Sequence, residues 1–139
     1  MRIEDFVYIV ETGKSFDEAV VSVRRSVENK GWAIFQVYDY KEILTVKGFD
    51  QKPLKIIEIC SGKYANQFLN KNKLTSLCMP CKINVLEEDE KVKIIGMNPA
   101  IISQFFPEVS QEESMEVEKD IKEIINNAKW ENEIVNVSC

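Results

Sequence analysis

The sequence has 139 residues, of which 45% are hydrophobic and 29% are charged, and its formal net charge at pH 7 is −5. This length fits one compact domain, and the composition is that of a folded globular protein rather than a disordered chain. The absence of histidine excludes Ser-His and Cys-His nucleophile pairs and every histidine-containing metal site, and the acidic charge without a Lys/Arg cluster argues against nucleic acid as a partner.

The first predicted element is a strand over residues 2–11, a segment rich in Phe, Val, Tyr and Ile. Glu4 and Asp5 interrupt its apolar stretch, so the N-terminus has the pattern of neither a signal peptide nor a membrane span. No later segment is long and apolar enough to cross a bilayer. We therefore expect a cytoplasmic protein without a membrane partner, in which the four cysteines are reduced thiols.

A long helix is predicted next. Ser15 and Glu18 have the spacing of a capping box, which indicates a helix start. Polar residues, Ser22 among them, take one side of this helix, and apolar residues recur at helical spacing on the other. The apolar stripe consists of Phe16, Ala19, Val20, Val23 and Val27. Gly31 supplies the left-handed residue that ends the helix.

The middle of the sequence predicts two further strands joined by a short helix. Residues 32–40 form the first of them by their aromatic and β-branched content, and residues 54–60 form the second. The stretch between them is typical of a short helix that ends at Gly48. Ser61 follows the second strand and is placed to cap another helix of about two to three turns.

A β-hairpin is predicted over residues 81–97, because apolar and polar residues alternate on both sides of the acidic segment 87–90. Asn98 and Pro99 then start a short helical segment, which Pro107 ends. The hairpin therefore supplies the fourth and fifth strands.

A second long helix is predicted from Gln111 to about Trp130. Its apolar stripe consists of Val117, Ile121, Ile124, Ile125 and Ala128. Residues 131–139 find no partner element in this interpretation, so we assign residues 1–130 to a single domain and residues 131–139 to a C-terminal tail. Five strands and two long helices favour an α+β fold, in which a mostly antiparallel sheet carries helices on one face.

Three stretches of the sequence carry a family resemblance. They are ETGKSFDEAVVSVRRSVENKGWAIFQVYDYKEILTVKGFD, IIEICSGKYANQFL, and LCMPCKINVLEED with VKIIGMNPAII after it. Together they resemble the domain of unknown function 302 family over about residues 7–130. The resemblance implies an α+β domain of the TATA-binding-protein-like type, with a curved antiparallel sheet, that often pairs as a dimer. It implies no reaction.

The same resemblance also concerns the cysteines. Family members carry a cysteine after the strand matched here by residues 56–60, and Cys60 meets that pattern. They also carry a Pro-Cys pair before the strand matched by residues 83–86, and Pro80-Cys81 meets it.

The cysteines are the candidate site residues, and three interpretations of them stay open. If the strands that end at Cys60 and begin at Cys81 are antiparallel neighbours, both thiols lie at the same edge of the sheet. They are then either buried structural residues, or a redox pair in which Cys60 reacts with Cys81 or Cys78. The third interpretation is a zinc or copper(I) site. Because its fourth thiolate would have to be Cys139 on the tail, we assign no metal ligands.

The sequence favours a non-catalytic cytosolic binding or sensor module, with a small-molecule site at the sheet edge that carries Cys60 and Cys81. The alternative is a small thiol-redox enzyme that uses Cys60 with Cys81 or Cys78. Cys60 is expected to be the accessible and polarised thiol, because a helix begins directly behind it. No pattern identifies a catalytic residue or a cofactor. A sheet of five strands leaves edges and an apolar surface for a twofold partner to cover, so we predict a homodimer.

Overall fold

The computed structural model describes the backbone of residues 2–137 and the side chains of residues 2–130. Its centre is a five-stranded sheet in the order β1-β5-β4-β3-β2, in which every neighbouring pair is antiparallel. The strands are β1 (Val7–Thr12), β2 (Ala33–Asp39), β3 (Leu54–Cys60), β4 (Cys81–Glu88) and β5 (Lys91–Met97). The helices lie on one side of this sheet, which confirms the predicted α+β class and is compatible with the TATA-binding-protein-like type.

Six α-helices lie within the described residues, and the two longest pack on each other and on the sheet. The helices are α1 (Ile3–Phe6), α2 (Phe16–Asn29), α3 (Tyr40–Thr45), α4 (Gly62–Lys71), α5 (Ile102–Phe105) and α6 (Gln111–Val137), with 3₁₀ helices at Lys73–Cys78 and Pro99–Ile101. No helix among the described residues is both long and apolar enough to span a bilayer.

The predicted capping box starts α2. The Ser15 hydroxyl accepts from the backbone N–H of Glu18 at 3.2 Å, and the Glu18 carboxylate accepts from the backbone N–H of Ser15 at 3.0 Å. Four of the five predicted stripe residues are buried: Ala19, Val20, Val23 and Val27. Ser22 was predicted on the polar side and is instead 3% exposed, and its buried hydroxyl is paired because it accepts from Lys14 Nζ at 2.8 Å.

Helix α6 packs against both α2 and the sheet. Its predicted stripe is buried in full: Val117, Ile121, Ile124, Ile125 and Ala128. The Ser26 hydroxyl of α2 donates to the Ile124 carbonyl at 2.7 Å, which ties the two helices together. A Cβ at Gly96 of β5 would stand 2.8 Å from Ile125 Cδ1, so the missing side chain lets α6 approach the sheet closely.

Two predicted boundaries are wrong by five residues or more. The strand predicted over residues 2–11 begins only at Val7, because Asp5 accepts from the backbone N–H of Arg2 at 3.1 Å and starts the short helix α1. Helix α6 continues past Trp130 to Val137, and residues 131–137 contain neither Gly nor Pro to end it. The remainder of the predicted tail, residues 138–139, lies outside the described residues.

Candidate functional site

The candidate site lies where β3 ends and β4 begins. Cys60 is the last residue of β3, and Cys81 is the first residue of β4. The strands pair with Ile59 opposite Cys81, so Cys60 directly follows the residue that pairs with Cys81. Both thiols therefore lie at the same end of the sheet, as expected for antiparallel neighbours.

Cys78 reaches the same place from the 3₁₀ helix that ends at that residue. The three thiols share an apolar pocket, which we call the thiol pocket. Its lining consists of Trp32, Ile59, Cys60, Ser61, Tyr64, Ala65, Phe68, Thr75, Cys78, Met79, Pro80, Cys81, Ile102 and Val117. Among the described residues, no charged side chain lines it. Its volume is about 30 Å³, which is enough to hold a water molecule.

A second depression lies against the same cysteine segment. It has a volume of about 130 Å³, and Cys78, Pro80 and Cys81 line it as well as the thiol pocket. Lys82 and Met97 complete part of its wall. The segment from Cys78 to Cys81 therefore lies between the thiol pocket and this second depression.

Burial raises the pKa of all three thiols. The pKa values of Cys60 and Cys78 are raised by burial, and the pKa of Cys81 is raised to about 11, first by burial and then by the nearby Cys60 and Cys78. Cys60 was expected to be polarised towards the thiolate by the helix behind it, and the raised pKa does not support that expectation. Ser61 occupies the N-cap position of α4, but its side chain makes no capping hydrogen bond. At neutral pH the pocket therefore presents protonated, weakly nucleophilic thiols.

Two aromatic rings form one wall of the thiol pocket. The ring centroids of Trp32 and Tyr64 are 6.0 Å apart with a tilt of 52°, a geometry typical of favourable aromatic pairs. Behind them, the Trp32 indole N–H donates to Asp120 Oδ2 at 3.2 Å, and Lys30 Nζ lies 3.6 Å from Asp120 Oδ1. The pKa of Tyr64 is raised by burial and then by Asp120 and Glu116. The wall is thus held in place by a carboxylate of α6 that does not itself line the pocket.

Residues 62–78, which comprise α4 and the 3₁₀ helix after it, form a lid over the thiol pocket. Only Phe68 and Thr75 of this lid are buried. The Glu113 carboxylate of α6 accepts from Gln67 Nε2 at 2.6 Å and from Lys71 Nζ at 3.1 Å. The pKa of Glu113 is lowered to about 2, most strongly by the hydrogen bond from Gln67. One carboxylate therefore carries much of the polar attachment of the lid to α6.

Neither Glu113 nor the Tyr64 side of the aromatic wall was predicted from the sequence. Ser110 and Glu113 form a second capping box, with hydrogen bonds of 3.1 Å in both directions, and their spacing in the sequence indicates it. The spacing predicts the cap. It does not predict the contacts between Glu113 and the lid, because the lid residues lie about 40 positions earlier in the chain. Trp32 was assigned to a strand, whereas β2 begins one residue later and leaves the indole in the pocket.

The metal interpretation gains no support from the geometry. Among the side chains of residues 2–130, no three Cys, Asp or Glu residues are arranged to hold a metal ion. Cys139, which the sequence offered as the fourth thiolate, lies outside the described residues.

Two larger depressions exist elsewhere on the surface. One, of about 680 Å³, is lined mainly by polar residues near α1 and the start of α6, and another, of about 640 Å³, follows the outer face of α6. Neither contains a thiol or aromatic side chain. Small-molecule sites in proteins are mostly apolar with a few placed polar groups, and the thiol pocket has that character, whereas these two depressions are lined mainly by polar and charged residues.

Comparison with known proteins supplies a family. The sequence profile described as Domain of unknown function DUF302 matches residues 8–128. The crystal structure of an uncharacterized conserved DUF302 protein from Bacillus stearothermophilus has the same fold, with a TM-score of 0.83 and 25% sequence identity over 88% of this chain and 98% of that one. No curated protein sequence shows significant similarity to this chain.

Proposed function

The chain belongs to the DUF302 family, and on that premise we propose that it is a non-catalytic binding or sensor module whose site is the thiol pocket. The observation that carries this proposal is the convergence of Cys60, Cys78 and Cys81, from three different elements, on one apolar pocket beneath a lid. Thiols whose pKa is raised by burial are poor nucleophiles, so the pocket is better suited to binding than to catalysis.

The ligand that this pocket suits is small, uncharged and largely apolar. A charged group would lose its hydration without gaining a counter-charge, since no charged side chain of the described residues lines the pocket. A volume of about 30 Å³ has no room for such a ligand. Binding therefore requires the lid to move, so a ligand would select an open state of residues 62–78.

Quenching of tryptophan fluorescence by iodobenzene tests the binding proposal. The chain has two tryptophans, and Trp130→Phe leaves Trp32 in the pocket as the only reporter. We expect saturable quenching in this background, because iodobenzene that enters the pocket contacts the indole. The matched control adds Ala65→Leu, which fills the pocket from α4 and should abolish the saturable component. Quenching that stays linear in iodobenzene and is equal in both variants would contradict the proposal.

The second candidate is a thiol-redox enzyme that uses Cys60 with Cys81 or Cys78. Ile59 pairs with Cys81 and directly precedes Cys60, so the Cys60 and Cys81 thiols lie at the same end of the sheet, which favours this candidate. The raised pKa values count against it, because the attacking group must be a thiolate. In the test, diamide takes two electrons and two protons from two thiols, which become a disulfide. A disulfide that joins Cys60 to either partner and is reduced reversibly would favour this candidate, and unchanged thiols would remove it.

Cys60 is the thiol on which both candidates depend. We propose that Cys60→Ser abolishes the ligand or redox response and has little effect on stability. A fully packed thiol replaced by Ser would instead bury a hydroxyl at a cost of about 1–3 kcal/mol. A markedly less stable Cys60→Ser protein, together with an unreactive native Cys60, would leave a structural role only.

We also propose that the protein works in the cytoplasm as a homodimer. The cytoplasm suits its free cysteines, which that compartment keeps reduced. The support for a dimer is that the helices lie on one side of the sheet, which leaves the other side free for a partner. Sedimentation of a monomer at about 50 μM, a concentration at which micromolar complexes are formed, would remove the dimer proposal.

A further inference from the structure

The sheet has a second face, opposite the helices. Strand register places five side chains in one row across the middle of this face: Tyr38, Ile56, Asn84, Ile95 and Ile9. Two contacts agree with this assignment, since the Tyr38 hydroxyl donates to Glu58 Oε1 at 3.0 Å and Lys91 Nζ lies 3.9 Å from Glu11 Oε1. Four of the five residues in the row are apolar or aromatic, so the centre of this face is suited to burial.

Asn84 stands in the middle of this row, on the central strand of the sheet. Its side-chain Oδ1 is buried and has no hydrogen-bond partner among the described residues. Buried polar atoms are nearly always paired in folded proteins, so an unpaired amide oxygen at the centre of an uncovered face indicates a partner from outside the chain. An amide carries both a donor and an acceptor, and it can therefore pair with a second copy of itself.

The charges around the row also favour a second copy. The same face carries three lysines and three glutamates: Lys82, Lys91, Lys93, Glu11, Glu58 and Glu88. Their charges cancel, although the whole chain has a net charge of −5. A face without net charge neither repels its own copy nor attracts polyanions such as nucleic acid.

The size of the face is sufficient for a specific dimer. Five strands spaced about 4.8 Å apart, each about 23 Å long, cover roughly 550 Å² per copy. Two copies face to face would bury about 1,100 Å², which reaches the lower bound of about 1,000 Å² for a biological interface. We infer that this open face, centred on Asn84, is the surface through which two copies of the chain pair.

This inference rests on the proposed homodimer and specifies its surface. In the pair, the two Asn84 side chains lie near the twofold axis, and each donates Nδ2–H to Oδ1 of the other. A rotation about the Cβ–Cγ bond, which is soft for this torsion, turns Oδ1 towards the surface. The interface is isologous, so the apolar row of one copy covers the apolar row of the other.

Sedimentation velocity of three proteins at about 50 μM tests the inference. We expect the natural sequence to be a dimer and Ile95→Arg to be a monomer, with a dissociation constant raised about 100-fold or more, because the variant buries an unpaired charge at the centre of the face. The control is Val21→Arg, which changes a 53% exposed apolar residue of α2 on the opposite side of the sheet and should stay dimeric. A dimer that survives Ile95→Arg would overturn the interface while the homodimer stands. A monomeric natural sequence would overturn both.

A crosslink separates loss of the interface from loss of folding. In a dimer of Asn84→Cys, each copy contributes one introduced thiol, and diamide should oxidise the two thiols to one intermolecular disulfide. Diamide takes up the two electrons and two protons that the thiols lose. Peptide mass spectrometry should find the disulfide between two copies of the same peptide. Val21→Cys is the control and should give no such species. Equal crosslinking of both variants, or none in Asn84→Cys, would contradict the inference.

Discussion

Two parts of the helical layer are held to the molecule by different means. Helices α2 and α6 bury continuous apolar stripes and share the hydrogen bond between Ser26 and the Ile124 carbonyl. The lid, residues 62–78, buries only Phe68 and Thr75 fully; Tyr64 and Cys78 pack against the core while partly exposed, and Gln67 and Lys71 bind Glu113. Local opening costs least where few apolar contacts must break, so the lid is the part of the layer that can open over the thiol pocket.

Replacement of a stripe residue in α6 should have the largest effect on global stability. Ile124 is fully buried between α6 and the rest of the core, and Ile124→Ala leaves a cavity there. We expect the free energy of unfolding to fall by about 2–5 kcal/mol, measured by urea denaturation. A loss below about 1 kcal/mol would show that α6 is not the fixed part of the layer.

Phe68→Ala should act mainly on the lid. Phe68 is 4% exposed and is the only buried residue of α4, so its loss releases the lid before it affects the rest of the core. We expect amide hydrogen exchange in residues 62–78 to accelerate about tenfold or more, equivalent to ~1.4 kcal/mol of local opening. Protection of α2 should fall less than it does in Ile124→Ala. Equal loss of protection in both regions would contradict the distinction between them.

Glu113→Gln should have a smaller effect in the same direction. The variant weakens the hydrogen bonds that Gln67 and Lys71 donate to the side chain at position 113. Because a hydrogen bond contributes a net of about 0.5–1.5 kcal/mol, we expect amide exchange in the lid to become about two- to tenfold faster. The exposed neighbour Glu112 provides the control, and Glu112→Gln should leave lid exchange unchanged. Exchange that is equally fast in both variants would remove the specific role of Glu113.

The attachment through Glu113 should also depend on pH, with an effect no larger than that of the substitution. Its pKa is lowered from 4.5 to about 2 in the folded protein, so the carboxylate stabilises the closed lid fully above about pH 4.5. That contribution is lost as the pH falls towards 2. After correction for intrinsic exchange, lid protection should stay constant from pH 7 to 5 and decrease below pH 4.5. In Glu113→Gln this step should be absent, and its persistence would assign it to another group.

The elements that sequence analysis predicted correctly are those with strong local signals. The stripe of α6, the capping box of Ser15 and Glu18, and the hairpin around residues 87–90 follow from spacing alone. The lid and its attachment could not be predicted, because the contact between Gln67 and Glu113 joins residues 46 positions apart.

The thiols could be predicted only in part. The sequence placed Cys60 and Cys81 at one sheet edge on the condition that their strands are antiparallel neighbours, and the structure meets that condition. The expectation that Cys60 is polarised did not take into account that burial raises the pKa of its thiol. That burial depends on how the aromatic wall and the lid pack over the strand ends. A sequence shows which residue precedes a helix, but it does not show how much water that residue loses on folding.

The central claim is that the thiol pocket is a binding site lined by protonated thiols, and the rate of Cys60 alkylation as a function of pH tests it most directly. Peptide mass spectrometry after pulses of iodoacetamide between pH 6 and 10 gives the rate for each cysteine. We predict that the Cys60 rate reaches half its maximum above pH 9.0, that Cys81 reacts more slowly, and that Phe68→Ala accelerates both. Half-maximal alkylation of Cys60 near pH 7 or below would contradict the account and favour the thiol-redox enzyme.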